Sequence, residues 1–431
     1  MTDVDLMLRF LVQLLVVLGC CRAIGWLGKR FLGQTQVVME MVAGVCLGPS
    51  LLGTFFPEVQ NWIFPSAKIG EIAGVAVRHP SMAVLYVVAQ LGLVLYMFVV
   101  GLEFDFAILN RRAKGAASIS IAGIVAPFAL GALLAYGLQG RTDLFAPEVG
   151  LGEAALYLGA SMCITAFPML ARILYERGIA RTEMGVLALG AGAVDDAAAW
   201  AILSVVLASL KHEIRFAIFA IGGGALFAVS VLTLGRRALR RFEKVAEPSQ
   251  TMFGLVLLML FAGAWITDAL GIYAVFGAFI MGAAMPKGAF AEALQRKIEP
   301  ITVGVLLPFF FVYSGLNTRL GLLDTPALWG ICALACLAAM VGKFGGCALA
   351  ARATGESWRA SVGIGTLMNA RGLMELIILN IGLQQGVITP TLFTMLTLMA
   401  ILTTLMASPI FNLLYPLRKD ALLGTPAIIS A

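Results

Sequence analysis

The sequence predicts an all-α polytopic membrane protein: thirteen transmembrane helices in two inverted six-helix repeats, with a linker helix between them. Three observations carry that prediction. Hydrophobic residues make up 60% of the 431 and charged residues only 13%, against roughly 25% charged in a soluble domain. Apolar runs near the ~20 residues that span a bilayer as helix recur along the whole chain. Lysine and arginine gather in alternate loops, as the positive-inside bias of membrane proteins demands.

The spans fall at about 6–28, 37–53, 83–103, 115–139, 153–175, 185–208, 215–235, 251–269, 271–286, 300–317, 326–351, 358–384 and 389–416. The first lacks a signal-peptide cleavage pattern and reads as a true span. With the N-terminus outside and loops alternating, the inside segments hold 20 of the 30 basic residues. The outside segments hold six, and Arg9, Arg22, Lys343 and Arg371 fall within spans. That split supports an odd number of spans, a cytoplasmic C-terminus and a multi-pass protein of the plasma (inner) membrane. The net charge of +6 follows from this loop bias and is no nucleic-acid footprint. All seven cysteines lie inside apolar runs, which argues against disulfides and a metal centre.

The whole chain, 1–431, reads as one transmembrane domain. Residues 6–208 form the first repeat, 209–250 the linker helix and a basic cytoplasmic loop, 251–416 the inverted second repeat, and 417–431 a short tail. No soluble nucleotide-binding domain is expected after the spans. Inverted repeats of secondary transporters break one helix in each half near the bilayer midplane. The fifth span of each half carries such a signal. The first contains "SMCITAFPML" with Pro168, the second "IGTLMNARGLMEL" with Gly365, Asn369 and Gly372. Proline removes a backbone donor and glycine loosens a helix.

"GAGAVDDAAAW" places Asp195 and Asp196 side by side in the sixth span. A charge at the bilayer centre costs roughly 2.5–3.5 kcal/mol on insertion scales, so both carboxylates must face protein or water. Helical neighbours point about 100° apart, so one can hold a partner while the other faces a cavity. Lys343, mid-span in "AAMVGKFGGCAL", needs a carboxylate, and either aspartate would serve. Such a buried pair titrates as a coupled unit and can take up and release protons. A fixed structural salt bridge is the plainer alternative. Arg371 and Glu375 stand i and i+4 in the second broken helix, a spacing that favours a local pair supporting unwound backbone. Thr165 offers a hydroxyl beside freed carbonyls. These are hard oxygen donors for Na⁺ or K⁺, unless the hydroxyl only bonds back to its own helix. Glu40, Glu103 and Asp105 lie near predicted cytoplasmic ends, where packing or a solvated funnel mouth is expected, and His212 sits in a loop.

Taken together, "MEMVAGVCLGPSLLG", "VVGLEFD", "ITAFPMLARIL", "AGAVDDAAAW", "PFFFVYSGL", Gly342-Lys343 and "MNARGLMELIILNIGL" resemble the cation/proton antiporter-2 family. The likeness covers nearly all of the chain. It implies the sodium/proton antiporter fold and a homodimer with a dimerisation domain and a mobile core domain. It implies Asp196 as the ion-binding carboxylate, Asp195 as the partner of Lys343, and Thr165 in the crossover, with Pro168, Asn369, Arg371 and Glu375 as crossover support. The alkali cation held by Asp196 would be cargo, and no cofactor is implied. Family members with two aspartates and a lysine resemble electrogenic sodium/proton exchangers. The pair here therefore tilts the expectation to Na⁺, with K⁺ as the alternative and Li⁺ a further cation to consider.

The expected function is exchange of a monovalent cation for protons by alternating access of the elevator type. A sodium–organic-anion symporter of related fold would want a roomier polar cavity. A channel would want a repeated filter, and a signalling protein an output domain. An enzyme would want a catalytic His, Cys or metal set, whereas the only histidines, His79 and His212, lie in loops.

Overall fold

The computed structural model describes residues 2–415 except 33, 35, 66, 67, 73, 74, 105–112, 177, 178, 180, 181, 211–213 and 272. Asp105, His212 and the tail 417–431 lie outside the described residues. The chain is helical nearly throughout, and helices occupy every predicted interval.

The first half comprises α1 (Asp3–Leu27), α2 (Gln36–Leu47), α3 (Pro80–Glu103), α4 (Ala113–Gly137), α5 (Leu151–Cys163), α6 (Phe167–Glu176) and α7 (Glu183–Leu210), followed by the linker α8 (Ile214–Ser230). Next come α9 (Gln250–Ala269), α10 (Ala274–Ala284), α11 (Ala289–Ile301), α12 (Leu307–Leu316), α13 (Pro326–Met340) and α14 (Gly346–Ala353). The chain continues through α15 (Trp358–Met368), α16 (Leu373–Gln384) and α17 (Pro390–Leu414). Their starts follow local chemistry. Thr2 and Asp5 form a capping box on α1. Thr325 and Thr389 cap α13 and α17, each followed by proline in the first turn, where no helical donor is needed.

Eight runs among the described residues, from Asp3–Phe31 to Pro390–Phe411, are long and apolar enough to cross a membrane. Ala274–Ala284 and Met374–Gln384 are apolar but shorter. By helix length alone the described residues thus give eight crossings, where the sequence predicts thirteen. The structure also adds a feature missing from the all-helical expectation. Strands β1 (Lys68–Ile72) and β2 (Val75–Arg78) pair antiparallel, with Ile72 opposite Val75. Isoleucine and valine suit that short ladder.

Packing sorts the helices into two bundles. One holds α1–α3 with α9–α12; the other holds α4–α7 with α13–α17. Close approach within each bundle depends on glycine. In the first, α2 crosses α12 at Gly44 and Gly315, where a side chain on Gly315 would run into the Gly44 carbonyl carbon. In the second, a side chain on Gly131 of α4 would come 2.7 Å from the Leu158 carbonyl oxygen of α5.

Gly315→Val should force α2 and α12 apart, at a cost of at least ~1–3 kcal/mol. The expected result is a lower unfolding midpoint in detergent and a lower folded yield. Gly330→Ala, with open space around it, should leave the midpoint unchanged or raise it slightly. Equal behaviour of the two variants would contradict this packing.

Candidate ion site at the crossing of two broken helices

Both predicted interruptions are real breaks in the helices. Helix α5 ends at Cys163, residues 164–166 run non-helical, and α6 starts at Phe167. Helix α15 ends at Met368 and α16 starts at Leu373. Pro168 falls in the first turn of α6, just after the break. Gly365 differs from expectation: it stays helical and lets α15 approach the Phe344 carbonyl, 2.6 Å from where its side chain would be. The interruption itself is residues 369–372.

The two breaks cross and bond to each other. The Ala166 amide donates to the Ala370 carbonyl at 3.1 Å. Thr165 Oγ1 donates to the Met368 carbonyl at 3.0 Å. The Thr165 hydroxyl thus bonds not its own helix but the end of α15, where the facing break begins. From α17, Thr404 clamps the second break: its hydroxyl accepts from the Arg371 amide and donates to the Arg371 carbonyl, each at 2.9 Å.

The last carbonyls of α5 are the negative pole of a half-helix. They are answered by two buried cations from the other half of the chain. Arg371 Nη1 donates to the Ser161 carbonyl at 3.2 Å and Nη2 to that of Met162 at 2.6 Å. Lys343 Nζ donates to the Cys163 carbonyl. Arg371 also pairs with Glu375 at 3.2 Å, as the i,i+4 spacing predicts. Lys343 stands in a π turn, Val341–Gly345, that joins α13 to α14. Such turns shift a side chain off the regular helix face.

Lys343 Nζ reaches Asp195 Oδ2 at 2.5 Å, both groups being fully buried. The second Asp195 oxygen accepts from Ser120 Oγ of α4 at 3.0 Å. Asp196, one residue on, is only 2% exposed. Neither of its oxygens has a hydrogen-bond partner among the described residues. Asn369 Oδ1 and Glu375 Oε1 are buried and unbonded in the same sense. The two carboxylates left open by the sequence are therefore unequal: Asp195 is paired and Asp196 is not.

In their usual charge states, Lys343, Arg371, Asp195, Asp196 and Glu375 sum to two positive and three negative charges. An ionised, unpartnered carboxylate in such a place is costly. One proton or one monovalent cation on Asp196 brings the group to neutrality. Among the described residues no three of His, Cys, Asp and Glu gather as a metal site.

The bundles meet near this site over two different surfaces. Phe104 at the end of α3 packs between Phe167 of α6 and Phe279 of α10, with ring centroids 5.7 and 5.4 Å away. Phe167 also lies against Gly192, one turn before Asp196. The other contact is polar. Asn380 of α16 donates to Ser314 of α12 at 2.9 Å and accepts from Asn317 at 3.4 Å. A cavity of about 390 Å³ opens beside Asn317, Tyr313 and Arg319.

Glu40 is buried and accepts from Gln36 at 3.0 Å, a packing role, while Glu103 accepts from Gln295. Sequence reading missed Ser120, Thr404 and Tyr157, whose hydroxyl donates to the Ile378 carbonyl. All three are hydroxyls in apolar spans, a signal too common to single them out.

Broken helices that cross beside buried charges define the discontinuous-helix class of membrane transporter. The chain matches the family described as "Sodium/hydrogen exchanger, transmembrane" over residues 14–414, and it belongs to that family. It is a multi-pass membrane protein. It is 39% identical to the Na(+)/H(+) antiporter NhaS4 of Synechocystis sp. over 425 residues, 96% of this chain and 99% of that one. It is 30% identical to the K(+)/H(+) antiporter 1 of Saccharomyces cerevisiae, covering 97% of this chain but 48% of the yeast protein. Among solved structures, the sodium proton antiporter MjNhaP1 of Methanocaldococcus jannaschii superposes with a TM-score of 0.63. That match covers 94% of this chain and 99% of the other, and at 15% identity it speaks to the fold.

Lys343→Ala would leave Asp195 buried without its cation, at a cost of ~3–5 kcal/mol. Replacing both partners, Asp195→Leu with Lys343→Met, should recover most of that loss. Unfolding midpoints in detergent check this. A double variant no more stable than Lys343→Ala would mean the pair is not the dominant contact.

Proposed function

We propose that this protein is a secondary antiporter that exchanges a monovalent cation, Na⁺ in the first instance, for protons. The observation that carries the reading is the buried, unpartnered Asp196 in a group with one negative charge in excess. Asp196 holds either a proton or a dehydrated cation. Competition between the two for this one carboxylate is the exchange.

With a cation on Asp196, Lys343 leaves Asp195 and can give up a proton; with protons bound, the pair re-forms. Net charge then moves in each cycle, at about 2.3 kcal/mol per elementary charge per 100 mV. Thr165 supplies an oxygen at the crossover. Pro168, Asn369, Arg371 and Glu375 hold the broken backbone open. We read 6–208 and 251–416 as inverted repeats, with α4–α7 and α13–α17 as the moving body and the other bundle as the scaffold of a homodimer. The N-terminus lies outside and the C-terminus in the cytoplasm of a cell whose plasma (inner) membrane holds the protein. Protons and the cation are the partners. K⁺ is the second reading, supported by the yeast relative's name. Nothing in the reading calls for enzymatic chemistry or a cofactor.

Asp196→Asn should abolish cation-driven pH change in proteoliposomes while the unfolding midpoint stays within a few degrees of wild type. Wild-type exchange rates in that variant would refute the assignment. A series of alkali cations in the same assay separates Na⁺ from K⁺.

A further inference from the structure

The reading above leaves one thing unexplained: why two adjacent aspartates keep different roles. Ser120 offers a cause. It lies on α4, Asp195 on α7 and Lys343 between α13 and α14, so three separate helices converge on one carboxylate. Ser120 is fully buried. A helical serine normally bonds back to the carbonyl four residues earlier. Ser118, two residues earlier on the same helix, does so, with its hydroxyl 2.9 Å from the Lys114 carbonyl. Ser120 instead turns its hydroxyl to Asp195 Oδ1, leaving Oδ2 to Lys343.

We propose that Ser120 is a positioning residue of the exchange site. It fixes Asp195 as the lysine-bound aspartate and keeps it acceptable as a bare carboxylate when Lys343 lets go. The proposal rests on the exchange reading, in which cation loading and lysine release go together. A contact made in both states counts only through its difference between them. While Lys343 is bound, the ammonium dominates and the hydroxyl adds little. Once Lys343 leaves, Ser120 is the remaining described donor to a buried anion, where a charge-assisted hydrogen bond is strongest. The hydroxyl therefore favours the released, cation-loaded state. The other groups around Asp195 do not supply this. The Cys163 carbonyl is an acceptor. The Cys347 thiol, on α14, lies 3.7 Å from the Ile119 carbonyl. Asp196 repels.

The test is exchange by wild type, Ser120→Ala and Ser120→Thr in proteoliposomes, with KM for Na⁺ and the maximal rate measured separately and unfolding midpoints alongside. Ser120→Ala should raise KM about three- to tenfold with the maximal rate within about twofold, the differential share of one such hydrogen bond. Ser120→Thr, which keeps the hydroxyl, should return KM towards wild type. An unchanged KM in Ser120→Ala overturns the proposal. So does a drop in midpoint and maximal rate that threonine fails to rescue, since that is a packing role. Should the wild-type protein itself show no exchange with any alkali cation, the transport reading falls and this inference with it.

Discussion

The last turn of α5 ends in three carbonyls with no helical donor ahead of them, and two buried cations from the second half of the chain take their place. Arg371 holds the Ser161 and Met162 carbonyls and Lys343 holds that of Cys163. A half-helix end inside a membrane needs such partners, because lipid offers none. The same two cations fix the chemistry. Arg371 uses Glu375 and Lys343 uses Asp195. Three carboxylates against two cations leave Asp196 over. The excess negative charge is thus a consequence of how the broken helix is capped, and the proposed exchange rests on it.

The arrangement also explains why the backbone is broken at both places at once. Each break satisfies the other through the Ala166–Ala370 and Thr165–Met368 bonds. Thr404 then ties the second break to α17. The crossing is rigid in itself and lies wholly within one bundle. Contacts between the bundles near the site are of another kind: aromatic rings around Phe104 and a small amide–hydroxyl cluster at Asn380, while Gln34 and the Arg319 amide bond to α17 farther along. None of these is an ion pair.

Much of this was legible in the sequence, for reasons of solvent. Lipid demands apolar runs of fixed length, so the helical intervals and the loop charge bias could be read directly. The breaks were marked by proline and glycine, and the buried charges stood out because they are costly. What could not be read was any relation between helices. Periodicity gives the 100° between Asp195 and Asp196 but not which of them meets Lys343. The i,i+4 spacing gave Arg371–Glu375 but not the reach of the same guanidinium to α5. The π turn beneath Lys343, the turn of Ser120 away from its own helix and the short β1–β2 ladder are likewise set by neighbours distant in sequence.

The central claim is that one carboxylate, Asp196, serves proton and cation in turn. The most direct measurement is the apparent affinity for Na⁺ during exchange, with equal pH on both sides of the liposome, as that pH is stepped downward. One shared site predicts that the affinity weakens with falling pH, towards a limit of about tenfold per pH unit for each proton the cation displaces, while the maximal rate at saturating Na⁺ holds. An affinity independent of pH, with only the maximal rate changing, would mean that protons and cations occupy separate sites.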